Sequence, residues 1–141
     1  MKVSARDEYA CSAVLELALN YDSEAPIRVQ DIAQRQSIPM KFLFQIMQIL
    51  KRVDIVRSRR GTEGGFTLTR PPSQITVGDV ILAMSGPFVQ LSSLDNGKDS
   101  SHFKPIWADV DRAIAGVLNN ITFEELVRRE RSSQRRLMYH I

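Results

Sequence analysis

Apolar residues recur at three- and four-residue intervals over residues 4–21, where Tyr9, Ala10, Ala13, Val14, Leu17, Ala18 and Tyr21 line one side of a helix. The turn-forming run Asp22-Ser23-Glu24-Ala25 and then Pro26 end it, because proline cannot continue a helix and disfavours helical geometry just before it. A short second helix is predicted over residues 29–36, with Ile32 and Ala33 inward. After the break Ser37-Ile38-Pro39, a third helix is predicted over residues 39–52. Pro39 suits its first turn, where a missing N–H costs nothing. Leu43, Ile46, Met47 and Leu50 form its inner face, and Phe42, Phe44 and Ile49 widen the apolar surface.

The period then changes from helical to alternating. Ile55-Val56-Arg57-Ser58-Arg59 and Phe66-Thr67-Leu68-Thr69 read as two strands, and the glycine-bearing stretch 60–65 between them makes a β-hairpin. Pro71 and Pro72 close it. Thr76-Val77-Gly78-Asp79 has capping-box spacing and opens a fourth helix with Val77, Val80, Ile81 and Met84 inward. Periodicity lapses in a loop rich in Ser, Asp, Gly and Asn over residues 85–104. It returns as a stripe of about four turns, Ile106, Trp107, Val110, Ala113, Ile114, Val117, Leu118 and Ile121. Thr122-Phe123-Glu124-Glu125 is a second capping box, opening a last helix with Leu126 and Val127 inside.

The predicted fold is mainly α with a small β-hairpin: a winged helix-turn-helix DNA-binding domain plus a long dimerisation helix. The expected division is a DNA-binding domain over residues 1–84 and a loop over 85–104 that could serve as an effector or sensor region. Dimerisation helices over 105–131 and a fraying tail over 132–141, rich in arginine from Arg128 onward, complete it.

Charge sharpens this reading. The net charge is only +3 over 141 residues, yet residues 41–70 hold seven basic residues against Asp54 and Glu63. Lys41 opens the third helix, Lys51 and Arg52 close it, and Arg57, Arg59 and Arg60 lie on or beside the hairpin. Such side chains neutralise phosphates and release counterions. The candidate DNA-binding residues are therefore Pro39, Met40, Lys41, Phe42 and Gln45 at the start of the recognition helix, Arg52 at its end, and Arg57, Arg59, Arg60, Gly61, Thr62 and Gly64 in the wing. Gln45 could pair with an adenine edge, and Met40 or Phe42 could touch a thymine methyl. Packing between helices is the equal alternative for those two, and a solvated basic face is the plain alternative for the arginines. The stripe from Ile106 to Ile121 calls for a covering surface, either a second copy or the chain itself.

Other classes find little support. Cys11 is the single cysteine, which excludes an internal disulfide and any thiolate zinc or iron-sulfur site within one chain, and fits a reducing cytoplasm. Cys11 reads as a small packed side chain; a redox-sensing thiol near Arg6 is the alternative. The N-terminus lacks the apolar run of a signal peptide, and no segment approaches the roughly 20 apolar residues of a membrane span. His102 and His140 have no plausible catalytic partner, and Gly61, Gly64 and Gly65 lack the following Lys-Ser/Thr of a phosphate loop. No enzyme activity, metal or cofactor is expected.

Three stretches carry a resemblance: Val3-Ser4-Ala5-Arg6-Asp7-Glu8-Tyr9-Ala10, Ile38-Pro39-Met40-Lys41-Phe42-Leu43, and above all Arg60-Gly61-Thr62-Glu63-Gly64-Gly65-Phe66-Thr67-Leu68. With Ile75 to Ile81 and Leu118 to Leu126, they resemble the Rrf-two family of winged-helix transcriptional regulators over nearly the whole chain. The resemblance implies a homodimer whose long helix, around Trp107 to Leu118, crosses its partner, and a repressor of a pseudo-palindromic site in double-stranded promoter DNA. Cluster-binding members carry three cysteines between the fourth and dimerisation helices, whereas residues 88–104 contain none. Phe44 also stands where such a member has an acidic residue. Control by a small effector or a regulatory protein is therefore expected. The alternative is a winged-helix protein-docking module that uses Phe42, Phe44 and Ile49.

Overall fold

Ser4 starts α1 (Ala5–Leu19) through a reciprocal cap: its hydroxyl accepts the Asp7 N–H at 3.1 Å, and the Asp7 carboxylate accepts the Ser4 N–H at 3.0 Å. In the computed structural model, which describes residues 3–89 and 102–139, this helix is the hub. It packs against α2 (Val29–Gln36), α3 (Met40–Arg52), α4 (Val77–Ser85) and α6 (Phe123–Tyr139). Ala10, Ala13 and Val14 are wholly buried on it, so the small side chains let neighbouring helices approach closely. The helix stops at Leu19, and Tyr21 belongs to a 3-10 turn, Tyr21–Ser23, rather than to α1.

Two buried carboxylates tie the hub to its neighbours. Glu16 accepts from Arg35 Nη1 and Gln36 Nε2 of α2, each at 3.1 Å. Asp7 accepts from the Ser85 hydroxyl at the end of α4, at 2.5 Å. Buried charges persist only when hydrogen-bonded in this way.

α2 and α3 are joined by Ser37, which adopts the left-handed conformation, then buried Ile38 and Pro39. Pro39 is the N-cap of α3 rather than a residue of its first turn. The hairpin pairs β1 (Val56–Arg59) with β2 (Gly65–Leu68) antiparallel, in the register Val56 with Leu68 and Arg59 with Gly65. Ile27 adds a third, one-residue rung: its N–H donates to Phe66 O at 3.0 Å and its carbonyl accepts from Phe66 N at 2.8 Å. Gly65 is required there, because a Cβ would stand 2.5 Å from the Ile27 carbonyl carbon and 2.9 Å from Arg28 N.

Thr76 and Asp79 form the reciprocal cap of α4 that the sequence predicts. α5 (Lys104–Leu118) ends at Leu118, so Ile121 does not extend its stripe. Ile121 instead accepts from Val77 N at 2.9 Å, beside a bridge between Thr76 and Thr122. That bridge turns the chain so that Phe123, at 0% exposure, and Val127 enter the core of the DNA-binding half. The expected tail is also corrected: α6 continues as helix to Tyr139, although every residue from Arg131 to Tyr139 is exposed. Its arginines pair one turn back, Arg128 with Glu124 and Arg129 with Glu125, which supports the helix modestly. Of the expected loop 85–104, Ser85 closes α4, and residues 90–101 lie outside the described residues.

Candidate nucleic-acid interface

The geometry of α3 sorts its side chains. At 100° per residue, Leu43, Ile46, Met47 and Leu50 share one side, and all four are at 0% exposure. Lys41, Phe44, Gln45, Gln48 and Arg52 share the opposite side, and all are exposed. Phe44 is 52% exposed, a large apolar ring left in solvent beside two amides and two cations.

Met40 and Phe42, the residues proposed to meet thymine methyls, lie on the flanks and are half-buried. The Phe42 ring stacks on Tyr9 of α1 at 6.0 Å between centroids, and Lys41 Nζ sits 5.0 Å from its centroid. These contacts favour the packing alternative for Phe42. Pro39 is exposed at the entry to the helix. Gln48 was missed by sequence reasoning that confined itself to the first turn; its position three residues after Gln45 and seven after Lys41 was the available signal.

The wing carries Arg57, Arg59, Arg60, Gly61 and Thr62, all exposed, while Gly64 is half-buried. Gly61 has φ +114°, a conformation L side chains rarely adopt, and its carbonyl accepts from Gly64 N at 3.0 Å to close the turn. Gly64 leaves no room for a Cβ, which would lie 2.5 Å from the Arg59 carbonyl oxygen. The alternation of β1 puts Arg57 and Arg59 outward and Val56 inward.

The two adjacent wing arginines have different surroundings. Arg59 lines a cleft of about 290 Å³ with Asp22 and Glu24 of the 3-10 turn region, over a floor that includes Leu17 and Phe66. A further residue went unnoticed in the sequence: Arg28, just before α2, donates through Nη2 to the Thr62 carbonyl at the wing tip.

Away from this surface, α5 has no buried residue and among the described elements packs chiefly on α4. Phe103, Ile106 and Val117 are 61%, 49% and 62% exposed, Trp107 is 40% exposed, Ala113 is exposed, and Val110, Ile114 and Leu118 are half-buried. Cys11 lies half-buried on α1; burial first, then Asp7 and Glu8, push its thiol up to about 12. Among the described residues no three His, Cys, Asp or Glu side chains are grouped to hold a metal, and no helix is long and apolar enough to cross a membrane.

Comparison with known proteins agrees with this geometry. The family described as Rrf2, iron-dependent transcriptional regulator, matches residues 3–129. The transcriptional regulator IscR of Cronobacter sakazakii is 35% identical over 131 residues, which cover 90% of this chain and 80% of that protein. Among solved structures, IscR of T. potens superposes with a TM-score of 0.78 at 31% identity, covering 95% of this chain and 91% of that one. CymR, the global cysteine regulator of B. subtilis, superposes with a TM-score of 0.75 at 29% identity, covering 90% and 96%. Cys11, on α1, is the one cysteine of the sequence, so a single chain does not supply the several thiolates that an iron-sulfur cluster needs.

Proposed function

The chain belongs to the Rrf2 family of transcriptional regulators, and from that premise we propose that it is a homodimeric, sequence-specific repressor acting without an iron-sulfur cluster. The observation that carries the reading is the exposed side of α3, with Lys41, Gln45, Gln48 and Arg52, beside a wing bearing Arg57, Arg59 and Arg60. In this reading α3 enters the major groove, where Gln45 and Gln48 read base edges, and the wing follows the backbone. Lys41, Arg52 and the wing arginines neutralise phosphates, which sets affinity more than sequence preference. The mainly α5 surface pairs two copies, so the target is a pseudo-palindrome. Control comes from a small effector or a regulatory protein, and the protein works in the cytoplasm.

One observation favours a second reading, a module that docks another protein: the solvent-facing ring of Phe44. A mobility-shift titration against the protein's own upstream DNA and a scrambled duplex, at low and moderate salt, separates the two. Selective retention that weakens with salt and with Arg60→Ala, more than with Phe44→Ala, is expected. Absence of retention of either duplex at low salt overturns DNA binding and leaves the docking module.

A further inference from the structure

We propose that Arg28 is a positioning residue for DNA binding: it straps the wing tip to the start of α2 and so presets the angle between the wing and the recognition helix. This rests on the DNA-binding reading above. The strands of the wing are seated in the core, with Val56, Phe66 and Leu68 buried and β1 packed on α3, so the part left to be positioned is the turn beyond them. Close to that turn stands the Ile27 rung, whose two hydrogen bonds to Phe66 hold the hairpin one pair from its turn-proximal end. Beyond that rung the turn 60–64 projects, and its residues Arg60 to Glu63 are exposed.

The Arg28 guanidinium, immediately after Ile27, reaches along the turn and donates to the Thr62 carbonyl. A guanidinium suits this task, since a planar fork with several donors loses little freedom per hydrogen bond made. The same segment has no slack where the Gly65 backbone lies against Ile27 and Arg28 N. Rung and strap therefore hold the wing where the turn leaves the strands and near its tip. A preset wing binds without the cost of ordering that turn on DNA.

The alternative role for an exposed arginine here is a phosphate contact. The two differ in what they predict for the protein without DNA. The experiment compares amide hydrogen exchange of residues 61–65 in the free wild-type, Arg28→Ala and Arg60→Ala proteins, and then their affinities for the upstream duplex over a salt series. Positioning predicts that Arg28→Ala accelerates exchange at Gly64, leaves Leu43 to Leu50 unchanged, and weakens DNA binding on the order of fivefold with the salt slope unaltered. Arg60→Ala is expected to leave exchange unchanged and to lower the slope by about one phosphate's share. Unchanged wing exchange in Arg28→Ala, or an affinity loss accompanied by the same fall in slope, overturns the proposal. If no variant binds DNA, the functional reading fails while the exchange comparison still decides whether the strap holds the wing.

Discussion

Arg59 and Arg60 are neighbours in the chain, yet the first shares its cleft with two carboxylates and the second stands on the open turn. The field of Asp22 and Glu24 opposes approach of a phosphate to Arg59, whereas Arg60 shares its exposed turn with the single carboxylate of Glu63. Arg60→Ala should therefore weaken DNA binding on the order of tenfold in low salt, and Arg59→Ala clearly less. Equal losses in a fluorescence-anisotropy titration would contradict this. Cys11 makes a second residue-scale case. With its pKa pushed to about 12, its alkylation by iodoacetamide at pH 8 should be on the order of a thousandfold slower than that of a free thiol. The linkage has a definite sign: the unfolded chain releases this proton near its ordinary value of about 8.5 while the fold retains it, so stability is lost as pH rises from there toward the folded value. Asp7 acts in the opposite sense. Burial raises its pKa, but the Ser85 hydroxyl, the Ser4 N–H and hydroxyl, and Arg6 outweigh that and hold it below the usual aspartate range. Its contribution is present above about pH 4 and lost as pH falls through the folded value. Ser4 and Arg6 could be read from the sequence because they are local to Asp7, whereas Ser85, Asp22 and Glu24 reach their sites only through the tertiary fold.

Helices were legible wherever a polar side faced a buried one. The stripe Leu43, Ile46, Met47 and Leu50 was read correctly because burial follows the helical period directly. Choice of the base-reading residues was less secure, since it favoured the first turn and so took Met40 and Phe42 from the flanks while omitting Gln48. Gln48→Ala should accordingly reduce discrimination between operator and scrambled duplex, on the order of tenfold, with little change in salt slope. Loss of affinity for both duplexes alike would place Gln48 on phosphate instead. The end of α5 was misread for a different reason. Ile121 continues the apolar spacing, but the bridge between Thr76 and Thr122 stops the helix at Leu118, and a bridge between distant segments leaves no local period. The same bridge seats Phe123. Phe123→Ala should lower unfolding stability by about 3–5 kcal/mol in urea titration, since it empties a fully buried site that joins α6 to the core. A loss below about 1 kcal/mol would mean that α6 is only loosely attached.

At the scale of the whole molecule, the unresolved balance is the apolar side of α5. The buried core lies in α1 to α4, the hairpin and the first turns of α6, and none of it comes from α5. Ile106, Val110, Ala113 and Val117 fall within about 60° of one another on a helix of 100° per residue, a narrow seam suited to a partner helix. Ala113 and Gly116 leave room for close approach, and a two-fold axis through such a seam covers both copies with the same residues. A dimer would also account for Trp107 and Val117 at the surface of a helix that, among the described residues, packs chiefly on α4. Sedimentation should accordingly give a dimer for the wild type, and Ile106→Glu with Val117→Glu should give a folded monomer with an unchanged helical circular-dichroism spectrum. That monomer should still bind a single half-site at low salt but lose the tighter binding of the full palindrome, because linking two half-sites raises effective concentration without any new contact. A wild type that stays monomeric throughout a dilution series, or a double variant that keeps full palindrome affinity, would assign the α5 seam to another partner.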